Sequence, residues 1–147
     1  MRVVIAGSSG LIGTALRRSL QAEGHSVVRL VRREPLASNE VRWDPSAAPD
    51  PALVDGADAV VNLAGADLGA RRWTPDYRRT ILTSRTGATG TLAVAVARAA
   101  NPPTVLLSAS GIRYYGVDRG NEPLDESTPP VRDGFLPLAA SASYPPG

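Results

Sequence analysis

"VVIAGSSGLIG", residues 3–13, sets an apolar run ahead of Gly7, Gly10 and Gly13. Val3 to Ala6 reads as a short buried strand. Leu11, Ile12, Ala15, Leu16 and Leu20 then recur at helical spacing, and Gly24 is placed to end that helix. Ser26 to Val31 is a second β-rich run, which closes a strand–turn–helix–strand unit of about 30 residues, the length of a βαβ crossover. In that setting each glycine has a task. One makes the tight turn without strain, one lets a pyrophosphate approach the backbone, and one lets helix and strand pack closely. The helix start offers unpaired N–H groups and a partial positive charge to the phosphates. The stretch predicts a dinucleotide site built from Gly7, Ser9, Gly10, Leu11, Ile12 and Gly13. A tight turn without ligand is the alternative reading.

Working outward, residues 34–57 carry Pro35, Pro45, Pro49 and Pro51 and read as loop, with a short strand over Val41–Trp43. "ADAVVNLAGA" contains an apolar strand, Ala59–Leu63, that ends in a small-residue turn. The pattern predicts a long helix over Tyr77–Ala100, in which Gly87 and Gly90 each cost about 1 kcal/mol relative to Ala. Such glycines suit close approach of another backbone. "TVLLSAS", residues 104–110, is a further buried strand. Strands alternating with helices predict a parallel sheet covered on both faces. Residues 118–133 are acidic and proline-containing, and "LPLAASASYPPG" lacks periodicity. The expected organisation is one domain over 1–136 and a poorly ordered tail over 137–147.

Composition narrows the function. The 147 residues carry a formal net charge of +2, with Lys+Arg 16 and Asp+Glu 14. Every basic side chain among those 16 is Arg, so no Schiff base and no lysine-assisted proton transfer is available in this chain. The arginines are dispersed among acids rather than gathered in a stripe with aromatics, which argues against nucleic acid as a partner. No cysteine is present, no metal-ligand cluster is visible, and the apolar runs are too short for a membrane span. Without a signal-peptide pattern the expected location is cytoplasmic.

The end of the second predicted strand bears on cofactor choice. NAD-selective sites place an acid there to take hydrogen bonds from the ribose hydroxyls. This chain reads "LVRRE": Val31 cannot do that, whereas Arg32 and Arg33 offer planar charged donors to a 2′-phosphate. NADP(H) is the expected cofactor. Glu34 keeps NAD open, and an arginine pair that merely begins a solvated loop is the plainer reading.

The spacing G-x-x-G-x-x-G, with "NLAGA" at 62–66 and "SASGIRYYG" at 108–116, resembles the extended and atypical short-chain dehydrogenase/reductases. More narrowly, the chain is similar to the epimerase-like family of NAD-dependent epimerases/dehydratases and sugar-nucleotide epimerases. "RRW" at 71–73, "SR" at 84–85 and "EPLDESTPP" at 122–130 strengthen the match, which runs from Met1 to about Leu136. The resemblance implies a Rossmann-like, doubly wound α/β sheet of order 3-2-1-4-5, with Ala64 and Gly65 beside the adenosine ribose. It also implies that the helix over 77–100 contributes to a homodimer interface, and that the substrate carries a hydroxyl or carbonyl, as a sugar nucleotide does.

The chemistry implied by that resemblance is incomplete here. The wider superfamily uses a Ser or Thr with a Tyr-x-x-x-Lys pair, whose Lys helps the Tyr exchange a proton with the substrate. Gly111 stands four before Tyr115, where the hydroxyl residue is expected, and Ser110 is its neighbour. Leu136 falls about where the paired Tyr would lie, and Tyr144 is the only later tyrosine. Ser110 and Tyr115 are therefore the candidate catalytic residues, against structural roles as a strand end and a packing ring. His25, Asp125 and Glu126 read as structural. Members of this family run to about twice this length, so the expectation is a truncated or frame-shifted form of a longer enzyme. Two functions follow: an NADP-dependent oxidoreductase or epimerase, or a dinucleotide-binding module without catalysis.

Overall fold

The computed structural model describes residues 1–116, 119–131 and 133–142. Five strands, β1 (Arg2–Ala6), β2 (Ser26–Val31), β3 (Glu40–Arg42), β4 (Ala59–Asn62) and β5 (Val105–Ser108), form one sheet in the order β3-β2-β1-β4-β5. All four pairings are parallel. This Rossmann-like arrangement is the 3-2-1-4-5 order expected from the sequence. The strand expected at Val41–Trp43 sits one residue earlier, and β4 and β5 are shorter than their apolar runs because pairing stops at Asn62 and Ser108.

Alternation along β1 divides the core. Val3 and Ile5 join Val27, Ala59 and Val61 under Leu16 and Leu20 of α1 (Leu11–Ala22). Val4 and Ala6 face the other way, with Leu30, Trp43, Val54 and Val60, onto Ala88, Leu92 and Ala95 of α2 (Pro75–Arg98). Both faces of β1 are buried, so its run is continuously apolar rather than alternating.

Helix boundaries follow local chemistry. Gly24, at φ +80°, lets the chain leave α1, and the His25 N–H donates back to the Leu20 carbonyl at 2.9 Å. Helix α2 starts two residues before the expected Tyr77. Thr74 Oγ1 accepts the Tyr77 N–H at 3.2 Å, and Pro75 occupies the first helical position, where its missing N–H costs nothing. Of its two glycines, Gly87 fits the expected close approach: a Cβ there would lie 3.0 Å from the Pro45 carbonyl oxygen. Gly90 does not, since nothing stands within 4 Å of its Cβ position.

The boundary expected at 136 falls inside a helix. Helix α3 spans Phe135–Ser141 and buries Pro137, Ala139 and Ala140. Pro137 reads as a breaker in sequence, yet it lies in the first turn, where no intrahelical partner is lost. Residues 143–147 of the expected tail, Tyr144 among them, lie outside the described residues. Among the described residues no helix is long and apolar enough to cross a membrane.

Candidate dinucleotide site

The turn after β1 is fixed by backbone contact. Gly7 adopts φ +80°, and a Cβ on it would lie 2.5 Å from the Leu63 carbonyl oxygen. A Cβ on Gly13 would lie 2.3 Å from the Gly7 carbonyl oxygen. These two positions thus hold β1, β4 and α1 at backbone distance from one another, and only glycine fits.

What this leaves at the start of α1 is a set of unspent donors. Gly10 is the cap residue and has no side chain to offer, and the first turn contains no acid. The Gly10 N–H is used internally, donating to the Gly7 carbonyl at 3.1 Å. Among the described residues the N–H groups of Leu11, Ile12 and Gly13 have no backbone partner, as first-turn amides do not. Leu11 and Ile12 are 92% and 66% exposed, and the polar groups these two residues offer a ligand are their amides. Helix α2 differs, with its Thr74 cap and Asp76 in the first turn.

A cleft of about 890 Å³ opens at the C-terminal ends of the strands, in the size range of a nucleotide site. Gly7, Ser9 and Gly10 line it, with Arg32 and Arg33 from the end of β2 and Ala64 and Gly65 from the turn after β4. The structure therefore brings seven of the expected cofactor residues to one cavity. Its charged lining consists of Arg29, Arg32, Arg33 and Arg71 against Asp67 alone, a balance that favours an anion.

The turn after β4 is held from beneath by α2. Ser84 Oγ accepts the Ala66 N–H at 2.9 Å and donates to the Ile81 carbonyl at 3.0 Å. Arg85 donates to the Ala66 and Ile81 carbonyls, and its guanidinium lies 3.3 Å from where a Cβ of Gly65 would be. Burial pushes the Arg85 pKa down. Buried Asn62 completes the support: its Oδ1 accepts the Ala64 N–H at 3.1 Å, while its Nδ2 donates to Thr89 and Ser108 hydroxyls. The "SR" pair and the Asn of "NLAGA" thus shape the loop whose Ala64 and Gly65 face the cleft.

The two arginines after β2 are in different states. Arg32 is exposed and makes no hydrogen bond or ion pair among the described residues. Arg33 is bound to Glu40 of β3, with Nη1 to Oε2 and Nη2 to Oε1 both at 2.8 Å. Glu40 is buried and also accepts from Arg29 Nη1 at 2.6 Å and from the Leu36 N–H at 2.8 Å. The Arg33 hydrogen bonds and the Leu36 amide hold its carboxyl at about 2, well below the usual carboxylate range. Arg29 Nε continues the chain to Ser8 Oγ, at 3.1 Å, in the glycine turn. Sequence reading missed Ser8, Arg29 and Glu40. The signal is the parallel register, which sets Arg29 directly beside Glu40, and register is not visible before the strands are paired.

Neither candidate catalytic residue lines this cleft. Ser110 Oγ donates to the Ala140 carbonyl of α3 at 3.1 Å. Tyr115 ends the 3-10 turn Ile112–Tyr115, its ring edge-on to Tyr114 at 5.0 Å. Asp125 accepts from Ser127 and Thr128 within its own loop, the structural role expected of it.

The sequence matches the model of the NAD dependent epimerase/dehydratase family over residues 3–134. It is 44% identical over 115 residues to epimerase family protein Mb2239 of Mycobacterium bovis, an alignment covering 78% of this chain and 38% of that protein. The crystal structure of human epimerase family protein SDR39U1 (isoform 2) with NADPH superposes with a TM-score of 0.84 at 33% identity, covering 100% of this chain and 50% of the human one. MoeE5 in complex with UDP-glucose and NAD gives a TM-score of 0.74 at 26% identity, over 97% of this chain and 46% of that protein. The chain thus spans half or less of the length of these relatives. Glycine turn, strand order and family match agree over most of the sequence, and the chain belongs to the NAD dependent epimerase/dehydratase family.

Proposed function

We propose that this chain is an NADP(H)-binding unit of an epimerase- or dehydratase-type oxidoreductase acting on a hydroxyl or carbonyl substrate, with sugar nucleotides the leading class. The pyrophosphate lies against the amides of Leu11 and Ile12, with Gly7, Ser9 and Gly10 forming the wall beside it. Ala64 and Gly65 flank the adenosine ribose, and Arg32 with Arg33 takes the 2′-phosphate.

The observation that carries the NADP choice is the state of the nearby acids. Glu40 is consumed by Arg29, Arg33 and the Leu36 amide, and Glu34 is paired with Arg42. Neither carboxylate is disposed to take ribose hydroxyls, while Arg32 is unpaired among the described residues and faces the same cleft. NADPH bound to the human relative supports this, and NAD bound to MoeE5 keeps the alternative in view. When bound, the nicotinamide supplies hydride transfer; the residues of this chain bind and orient it.

A second reading is a dinucleotide-binding module without catalysis. Ser110 spends its hydroxyl on Ala140, and no Lys exists in the chain to pair with a Tyr. Calorimetric titration with NADPH and NADH, followed by a panel of carbonyl substrates, separates the two. Tighter NADPH binding with turnover that Tyr115→Phe abolishes supports the enzyme. Tight NADPH binding without turnover supports the module, and tighter NADH than NADPH binding defeats the NADP assignment.

A further inference from the structure

We infer that buried Glu40 is a positioning residue for cofactor choice, gripping Arg33 by one edge so that its other edge stays open to an oxyanion in the cleft. This rests on the NADP reading above and assigns a role to a residue that does not itself meet the cofactor.

Guanidinium chemistry carries the argument. Arg33 has five N–H donors in a plane, grouped as two forks that can each hold one oxyanion. Glu40 takes the end fork, through Nη1 and Nη2 at 2.8 Å each, and the Glu34 carbonyl takes the other Nη1 proton at 2.7 Å. The side fork, Nε–H with the second Nη2 proton, has no partner among the described residues. Arg33 lines the cleft with 48% of its side chain exposed, whereas the Glu40 side chain is 2% exposed.

Glu40 cannot compete for the ligand or rotate away. Oε1 accepts from Arg29 and Arg33, and Oε2 from Arg33 and the Leu36 amide, so each oxygen has two donors. The Leu36 bond also ties down the loop on which Arg33 and Glu34 sit. Through Arg29 the grip continues to Ser8 beside the pyrophosphate turn. One carboxylate therefore sets Arg33 in place before a ligand arrives, and the rotamer entropy that a free arginine would lose on binding is already spent. Arg32, unpaired among the described residues, supplies charge without that fixed geometry.

Adenosine 2′,5′-bisphosphate and AMP, differing by the 2′-phosphate, are the probes, with calorimetric affinities for wild type, Glu40→Gln and Arg33→Lys. Wild type is expected to prefer the bisphosphate by about tenfold or more, as a charge-assisted fork to phosphate implies. Glu40→Gln should keep its affinity for AMP and bring the preference to within about threefold of unity, because Arg33 is no longer held. Arg33→Lys keeps the charge but has no second fork, and should lose the preference likewise; its half-exposed position makes it the deciding variant if Glu40→Gln does not fold. A merely structural Glu40 would weaken both ligands together and leave their ratio alone. A folded Glu40→Gln or Arg33→Lys that retains the wild-type ratio overturns the inference. Equal binding of both probes by wild type overturns the NADP reading, and binding of neither overturns the dinucleotide site itself.

Discussion

The loops after β1 and β2 and the loop after β5 occupy the same edge of one sheet, yet their polar groups are in opposite states. At β1 and β2, three helix amides and Arg32 lack partners among the described residues, and Arg33 is only half committed. At β5, Ser108 and Thr89 are bonded to Asn62, and Ser110 to Ala140. Polar groups left unpaired beside a cavity stay available to a ligand, because water satisfies them until it arrives. The first region is built for an anion; the second is satisfied by the chain's own atoms. On the proposed reading, cofactor binding and catalytic chemistry are separable, and each half of the contrast can be attacked on its own.

The hardest blow should fall on the glycine turn. Gly13→Ala would drive a Cβ to 2.3 Å from the Gly7 carbonyl oxygen and is expected to destabilise the fold by about 3 kcal/mol, with loss of nucleotide binding. Gly24→Ala is the control: it has the positive φ of a turn, which Gly13 lacks, but meets nothing within 4 Å, so a loss of about 1 kcal/mol with unchanged binding is expected. Paired denaturant unfolding and NADPH titration check both. Equal losses at the two positions would mean that backbone approach is not what fixes the turn.

Removing a single phosphate donor should act next most strongly. Arg32→Ala is expected to weaken NADPH about tenfold while leaving NADH within about twofold, since one charge-assisted contact to the 2′-phosphate is lost. Fluorescence titration with both nucleotides reads this directly. Equal weakening of the two would move Arg32 from the 2′-phosphate to some other part of the ligand.

At the β5 end the prediction is inverted. Ser110→Ala removes the bond to Ala140 and should cost about 1 kcal/mol of stability, measured by thermal unfolding, without altering NADPH affinity. A change in cofactor affinity would join the two regions that the geometry keeps apart.

The smallest effect separates the glycines of α2. Gly90→Ala is expected to stabilise by up to about 1 kcal/mol, because its Cβ position is open. At Gly87 that gain is cancelled by the Pro45 carbonyl at 3.0 Å, which is itself held by Thr91 Oγ1. Chemical denaturation of the two variants side by side reads the difference.

How far the sequence carries this account follows from which forces are local. The strands, both long helices and the turn at Gly7–Gly13 are written in apolar periodicity and glycine placement, which act over a few residues; the order of the strands in the sheet is not, and follows from the family resemblance instead. Arg32 and Arg33 could be placed by counting along β2. Glu40 could not, because its burial depends on sitting beside Arg29 in the neighbouring strand, and a charged residue on a short strand reads as solvent-facing until that pairing is known. Helix α3 escaped for a similar reason: seven residues carry too little periodicity, and what holds it is packing of Pro137, Ala139 and Ala140. Gly90 shows the opposite error, in which a local signal was given a tertiary purpose it does not have.

The central claim is that a nucleotide's phosphates are held where α1 begins, with Arg32 and Arg33 at the adenosine end. A crystal structure of the protein soaked with NADPH tests it most directly. The account predicts pyrophosphate oxygens within hydrogen-bond distance of the Leu11 and Ile12 amides and a 2′-phosphate between the two arginines. Clear density for the cofactor elsewhere on the protein, or a cleft that stays free of it at saturating NADPH, would contradict the account.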